Sequence, residues 1–199
     1  MMTQSEFLKQ CDKSAAMLIE MARRLHAKNY LAAFDGNLSF RVNAQLIAIT
    51  PTARAKAFIQ KEDLALISLD GDTVFGAPSG EKWMHLEIYR SVPRAQAIVH
   101  AHPPAAIAWS VAHPTDQFLP VNILSELVLA VGAIPIVPFQ IPGTNEMGKS
   151  LHQFLPEHQA MILARHGALA WGESLEEAYF GIERLEHAAV VLSQAKMLG

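Results

Sequence analysis

The chain has 199 residues, 51% of them hydrophobic and 18% charged, with a formal net charge of −3. That balance suits a globular protein and excludes a disordered or fibrous one, and without a basic stripe along any segment it argues against nucleic acid as a partner. Cys11 stands alone, which excludes a disulfide framework, and neither the Met1–Glu6 start nor the proline-broken apolar run from Leu127 to Phe139 has the layout of a signal peptide or a membrane span. The expectation is one domain over residues 1–199, cytoplasmic, with no membrane partner.

Phe7, Cys11, Ala15, Leu18, Ala22 and Leu25 recur at three- and four-residue steps and predict an amphipathic helix over Ser5 to Lys28. A turn at Ala33 to Asn37 leads into Leu38–Val42, which alternates like a strand and pairs as a hairpin with Leu46–Ile49. Thr50 to Lys56 is a loop with two hydroxyls and two cations. Leu64–Leu69 and Thr73–Phe75 make a second hairpin around Asp70-Gly71-Asp72. Ser79 is placed to cap a helix from about Glu81 to Arg90. Ala97 to His102 is a short buried strand stopped by Pro103-Pro104, followed by a helix over Ala105 to Ala112.

Ser125 to Val131 is a short helix. Ile134 to Pro138 is an edge strand, since prolines are confined to edges. Asn145 to Leu155 is helical, and Ala160–Ala164 and Ala168–Trp171 are strands on either side of the Arg165-His166-Gly167 corner. Leu175, Ala178, Tyr179, Ile182, Leu185, Ala189 and Leu192 form one face of a long terminal helix, with Ser174 and Glu177 in capping-box positions. Short hairpin strands between helices predict a mainly antiparallel sheet covered by helices.

The chemistry gathers at Ala97-Ile98-Val99-His100-Ala101-His102. Side chains alternate along a strand, so His100 and His102 share a face. Zinc takes neutral imidazole nitrogens, and a catalytic site needs three protein ligands with one position open. His166, after the apolar run Met161–Leu163, supplies a third. Glu81 stands at a helix start, as a fourth ligand or as a base whose pKa a cation would lower. His85, one turn on, falls on the same helix face and could hold Glu81. Three turns rich in small residues and hydroxyls, at Gly36-Asn37, Thr50–Ala53 and Ser79-Gly80, offer backbone N–H groups to an anion.

Gly36-Asn37-Leu38-Ser39, Ile49-Thr50-Pro51-Thr52, Pro78-Ser79-Gly80-Glu81, Ile98–His102, Pro142-Gly143-Thr144 and Arg165-His166-Gly167 stand in one order along the chain. In that order they resemble the class II aldolase and adducin head-domain family. The resemblance implies a three-layer α/β/α sandwich around a mainly antiparallel sheet, and a homotetramer with sites between subunits. It implies that His100, His102 and His166 hold Zn2+, with Mn2+ or Co2+ as alternatives, and that Glu81 is ligand and base. Gly36, Asn37, Thr52, Ala53, Ser79 and Gly80 would line a phosphate site. The implied activity is aldolase-type cleavage of a small sugar phosphate or hydroxy-ketone through a metal-stabilised enediolate, with epimerase, dehydratase, decarboxylase or a non-catalytic adducin-like module as alternatives.

Two departures accompany the resemblance. The fuculose-phosphate aldolases of the family carry Ser-Ser before the Glu and Thr-Gly in the earlier loop, where this chain has Ser79-Gly80 and Thr52-Ala53. One hydroxyl is lost, leaving Arg54 or Lys56 to help hold phosphate. Those aldolases also use a tyrosine from a neighbouring subunit as proton donor, and Val121 to Leu127 contains none. Glu126 is the residue of that stretch expected near the site of an adjacent chain.

Overall fold

The computed structural model describes residues 2–120 and 125–199. The chain opens with α1 (Gln4–Gln10) and α2 (Asp12–Ala27). Thr3 and Glu6 close a reciprocal capping box at the start of α1. One continuous helix was expected here, and the structure interrupts it at Cys11. The hydrogen-bond ladder nevertheless runs through, from Cys11 N to the Phe7 carbonyl and from Ala15 N to the Cys11 carbonyl, both 2.8 Å. The apolar face therefore stays continuous, and periodicity alone carries no mark of the break.

Nine strands follow among the described residues: β1 (Asn37–Arg41), β2 (Leu46–Ile49), β3 (Ala65–Ser68), β4 (Thr73–Phe75), β5 (Ala97–Ala101), β6 (Phe118–Leu119), β7 (Ile134–Val137), β8 (Ala160–Leu163) and β9 (Gly167–Gly172). They form one sheet in the order β4-β3-β2-β1-β5-β9-β8-β7-β6. Every pairing is antiparallel except β7 with β8. The expected edge strand at Ile134 is corrected: β7 lies between β8 and the two-residue β6. Pro135 is accommodated because Ile136 beside it supplies the N–H, donating to the Gln117 carbonyl at 2.8 Å.

The remaining helices are α3 (Lys82–Ser91), α4 (Pro104–Ala112), α5 (Ser125–Ala130), α6 (Asn145–Ser150) and α7 (Leu175–Leu198). Helix α6 stops at Ser150 and gives way to a 3-10 turn at His152–Phe154, short of the expected Leu155. Pro156 restricts the residue before it to extended backbone, which forbids the longer helix. At α7, Ser174 accepts from Glu177 N at 3.1 Å, but the Glu177 carboxylate takes Glu173 N, so the expected capping box closes one residue early.

Two apolar cores flank the sheet. Leu38, Phe40, Val99 and Ala170 pack with α1, α2, α4 and α7, while Ile49, Ile98, Leu169 and Trp171 pack with α3 and α6. The chain is a three-layer α/β/α sandwich about an open, mainly antiparallel sheet. Alternation decides what faces the α3 side: with Leu38 and Val99 on the other core, Asn37, Ser39, Ile98 and His100 look toward α3.

Candidate metal centre

β5 is the middle strand of the sheet, between β1 and β9, and it sets His100 opposite Asn37 on one side and Leu169 on the other. His102 follows just past the strand end, where its N–H donates to the Tyr30 carbonyl at 2.8 Å. His166 sits in the tight turn between β8 and β9, after Arg165 at φ 61°. Gly167 lets this turn approach β5, because a Cβ there would stand 2.5 Å from the Ala101 carbonyl oxygen. The result is three imidazoles with ring centroids 4.8 to 5.0 Å apart and one nitrogen from each within 4.8 Å of the others.

Hydrogen bonding fixes which nitrogens carry lone pairs. His100 Nδ1 lies 2.9 Å from the Ala168 carbonyl, which can only accept, so Nδ1 holds the proton and Nε2 the lone pair. His102 Nδ1 faces Asp35 Oδ2 at 3.5 Å, which favours the same tautomer. The two Nε2 atoms then stand 3.2 Å apart. Lone pairs facing each other at that distance repel unless positive charge sits between them. In a tetrahedral zinc site with bonds of ~2.0–2.1 Å, neighbouring ligand atoms are about 3.3 Å apart. Burial, with His100 and His166 adding to it, pushes His102 down to about 3, so it is neutral at physiological pH. His166 Nδ1 is buried with no hydrogen-bond partner among the described residues. The donor set fits a divalent ion.

Glu81 immediately precedes α3, in the N-cap position where a Ser79 cap was expected; Ser79 instead accepts from Glu81 N at 3.3 Å. Its carboxylate lies 3.1 Å from His166 Nε2 and 3.4 Å from His100 Nε2. Burial alone would raise its pKa. Positive charge at His100 and His166, or at an ion held between them, outweighs burial and holds the carboxyl well below the usual carboxylate range.

His85 does not touch Glu81 as the shared helix face suggested. It acts through Asn37, in a chain of bonds with one consistent direction. Tyr89 O–H donates to Ser39 Oγ at 2.9 Å, and Ser39 donates to His85 Nδ1 at 2.7 Å. His85 Nε2–H donates to Asn37 Oδ1 at 2.5 Å, and Asn37 Nδ2 donates to Glu81 Oε2 at 2.8 Å. Burial, with His100 adding to it, pushes His85 down to about 3, which keeps it neutral and able to accept from Ser39.

A cavity of about 530 Å³ opens over these groups, lined by Glu81, His102 and His166. Gly36, Asn37, Thr52, Ala53, Ser79 and Gly80 line it too, so the structure gathers all six residues expected around phosphate. Two backbone bonds zip their loops together: Thr52 N to the Ala77 carbonyl at 3.0 Å and Ser79 N to the Thr50 carbonyl at 3.1 Å. A larger hollow of about 810 Å³ lies against α7 beside Tyr30 and His187, and contains none of the metal-site groups. Chemistry selects the smaller cavity. The expectation for Glu126 concerns a side chain that lies outside what the structure describes, as do residues 121–124 beside it.

The sequence matches the model of the class II aldolase and adducin N-terminal domain over residues 16–192. The chain belongs to that family. A 3-oxo-tetronate 4-phosphate decarboxylase of Escherichia coli is 30% identical over 190 residues, spanning 94% of this chain and 90% of the relative. An L-fuculose phosphate aldolase of Methanococcus maripaludis is 32% identical over 171 residues, spanning 86% and 91%. Among solved structures, YgbL of Klebsiella pneumoniae superposes with a TM-score of 0.85 at 28% identity, over 98% of this chain and 91% of that one.

Around this cluster, Ser39 and Tyr89 escaped the sequence reading. A signal for them existed: Ser39 is two residues from Asn37 on β1, and Tyr89 is one helical turn from His85 on α3. Asp35, which orients His102, sits in a loop and had no comparable pattern.

Proposed function

We propose that the chain is a metal-dependent lyase that breaks a carbon–carbon bond beside the carbonyl of a small sugar phosphate. The facing Nε2 lone pairs of His100 and His102, with the Glu81 carboxylate beside them, carry this reading. His100, His102 and His166 would hold the ion, zinc by preference and manganese or cobalt as alternatives. When bound, it supplies Lewis-acid charge to the substrate's carbonyl and neighbouring hydroxyl oxygens. Glu81, ionised at neutral pH, takes or returns the proton on carbon. Asn37 and the chain behind it hold that carboxylate in place. The turns at Gly36, Thr52-Ala53 and Ser79-Gly80 receive the phosphate on backbone N–H groups.

Aldol cleavage and decarboxylation both leave an electron pair on the carbon next to the carbonyl, so both ask Glu81 to manage one proton. Aldol cleavage also moves a hydroxyl proton and calls for a second acid–base group. Val121 to Leu127 offers no tyrosine for that task, which favours decarboxylation of a 3-oxo acid phosphate. Full retention of the ligand set speaks against a non-catalytic adducin-like role. The reading includes a homo-oligomer, a tetramer by family resemblance. Phe34, Phe58 and Ile141, in or next to the segments that line the cavity, are 60, 74 and 67% exposed and support a covered face there.

Elemental analysis of the purified protein should find about one divalent ion per chain. His100→Ala and His166→Ala should each lose it, and unchanged content in both overturns the site. Glu81→Gln should keep the metal and lose roughly 10²–10⁴-fold in turnover. A panel of sugar phosphates, with CO2 release and aldehyde formation followed separately, decides between the two cleavages. Light scattering at assay concentration tests the oligomer, and an active monomer contradicts it.

A further inference from the structure

The cavity contains a cation that the metal centre does not use. Lys56 begins the 3-10 turn Lys56–Phe58, is 3% exposed, and lines the same cavity as Glu81, His102, Ser79 and Gly80. An ammonium group has three donors, and burying it is costly unless it is paired and hydrogen-bonded. Among the described residues one donor is used, on the Phe34 carbonyl at 2.5 Å, and no carboxylate lies within ion-pair distance of Nζ. The two carboxylates of the cavity are engaged elsewhere: Glu81 with His100, His166 and Asn37, and Asp35 with His102. Burial pulls the Lys56 pKa down, and Glu81 and Asp35 only oppose it from a distance.

Arg54, the other cation of this loop, is 61% exposed in its side chain and paired with Asp63 at 3.1 Å. Arg54 is therefore committed to the surface and Lys56 to the cavity. The surrounding donors suit a tetrahedral anion. Ala53, at φ 52°, and Gly80 present N–H groups that make no hydrogen bond among the described residues, and the Ser79 hydroxyl lies beside them. Several donors converging from different turns match a phosphate monoester better than the two coplanar oxygens of a carboxylate.

We propose that Lys56 is the phosphate-recognising cation of this cavity, and so a residue that selects phosphorylated over unphosphorylated substrates. The proposal rests on the sugar-phosphate reading above. It also accounts for the departure at Gly80, since charge from Lys56 stands in for the missing hydroxyl.

The test titrates inorganic phosphate, and acetate in parallel, into the metal-loaded protein by calorimetry. Lys56→Met should bind phosphate on the order of 10- to 100-fold more weakly, the usual effect of losing a hydrogen bond to a charged group, with acetate binding unchanged. Its melting temperature should hold or rise, because an apolar isostere replaces an unpaired buried charge. Lys56→Arg should recover part of the phosphate affinity. Equal phosphate binding by parent and Lys56→Met overturns the proposal, as does a parent that prefers acetate or binds no phosphate. A fall in melting temperature and metal content in both Lys56→Met and Lys56→Gln would make Lys56 a tether for the Phe34 loop and equally overturn it. Phosphate titration needs no turnover, so its failure is separable from failure of the lyase reading, which metal content and Glu81→Gln decide.

Discussion

His85 is a residue whose protonation the fold resists. Its Nδ1 accepts from Ser39 and its Nε2–H donates to Asn37, so a second ring proton would face a donor and break the chain that steadies Glu81. The sign follows from the depressed pKa. With about 3 folded against 6.5 unfolded, the unfolded chain binds more protons between those values. Stability is complete above about pH 6.5 and is lost as pH falls toward 3. At pH 5 the fully buried His85 alone should cost on the order of 2 kcal/mol. His102, shifted the same way, adds to it. Denaturant midpoints at pH 7.5 and 5.0 check this, and equal midpoints contradict it. The sequence displayed both halves of the chain, Asn37 and Ser39 two apart on a strand and Glu81, His85 and Tyr89 four apart along a helix. It did not display that these faces meet, because that depends on α3 lying across β1 and β5. The choice between Arg54 and Lys56 was harder still, since a lysine in a loop reads as solvated charge unless the third dimension buries it.

At the scale of elements, the site depends on how closely the β8–β9 turn rides on β5. A methyl group at residue 167 would meet the Ala101 carbonyl at 2.5 Å, His102 Cδ2 at 2.9 Å and His100 Cε1 at 3.0 Å. Backbone cannot step aside as a flexible side chain can, so Gly167→Ala should destabilise the protein by ~1–3 kcal/mol and loosen the metal. Thermal melting and metal retention after dialysis report the two effects. Gly80→Ala is the control: nothing lies within 4 Å of its added Cβ, and it should melt like the parent. Strands were the most legible elements, since β2 and β4 begin and end where alternation and the Asp70-Gly71 turn predicted. The edge reading of β7 failed because the proline rule could not anticipate a partner as short as β6. The interruption at Cys11 escaped because the buried face continues across it.

For the whole molecule, the sandwich draws its candidate ion-binding groups from the start of α3, the end of β5 and the β8–β9 turn, so an ion held there would bridge the sheet and the layer above it. An ion that binds the folded chain and not the unfolded one stabilises it by about 2.7 kcal/mol at a hundred times its dissociation constant. Removal by chelator should lower the melting temperature by roughly 5–10 °C, and added zinc should restore it. An unchanged melt would mean that the three histidines hold no ion that matters to the fold. The fold class was legible from the order of six short motifs. What no motif conveyed is that residues far apart in the chain become neighbours only when the middle of the sheet closes.

The placement of β5 between β1 and β9 has a consequence for how the protein comes off the ribosome. His100 and His102 emerge at mid-chain and would grip an ion there only as a pair. His166 arrives much later, and it reaches them only when the β8–β9 hairpin docks against a strand already in place. Under the proposed metal site, tight retention of an ion marks a chain that has passed His166: one arrested before that residue carries two of the three nitrogens and would hold the ion more weakly.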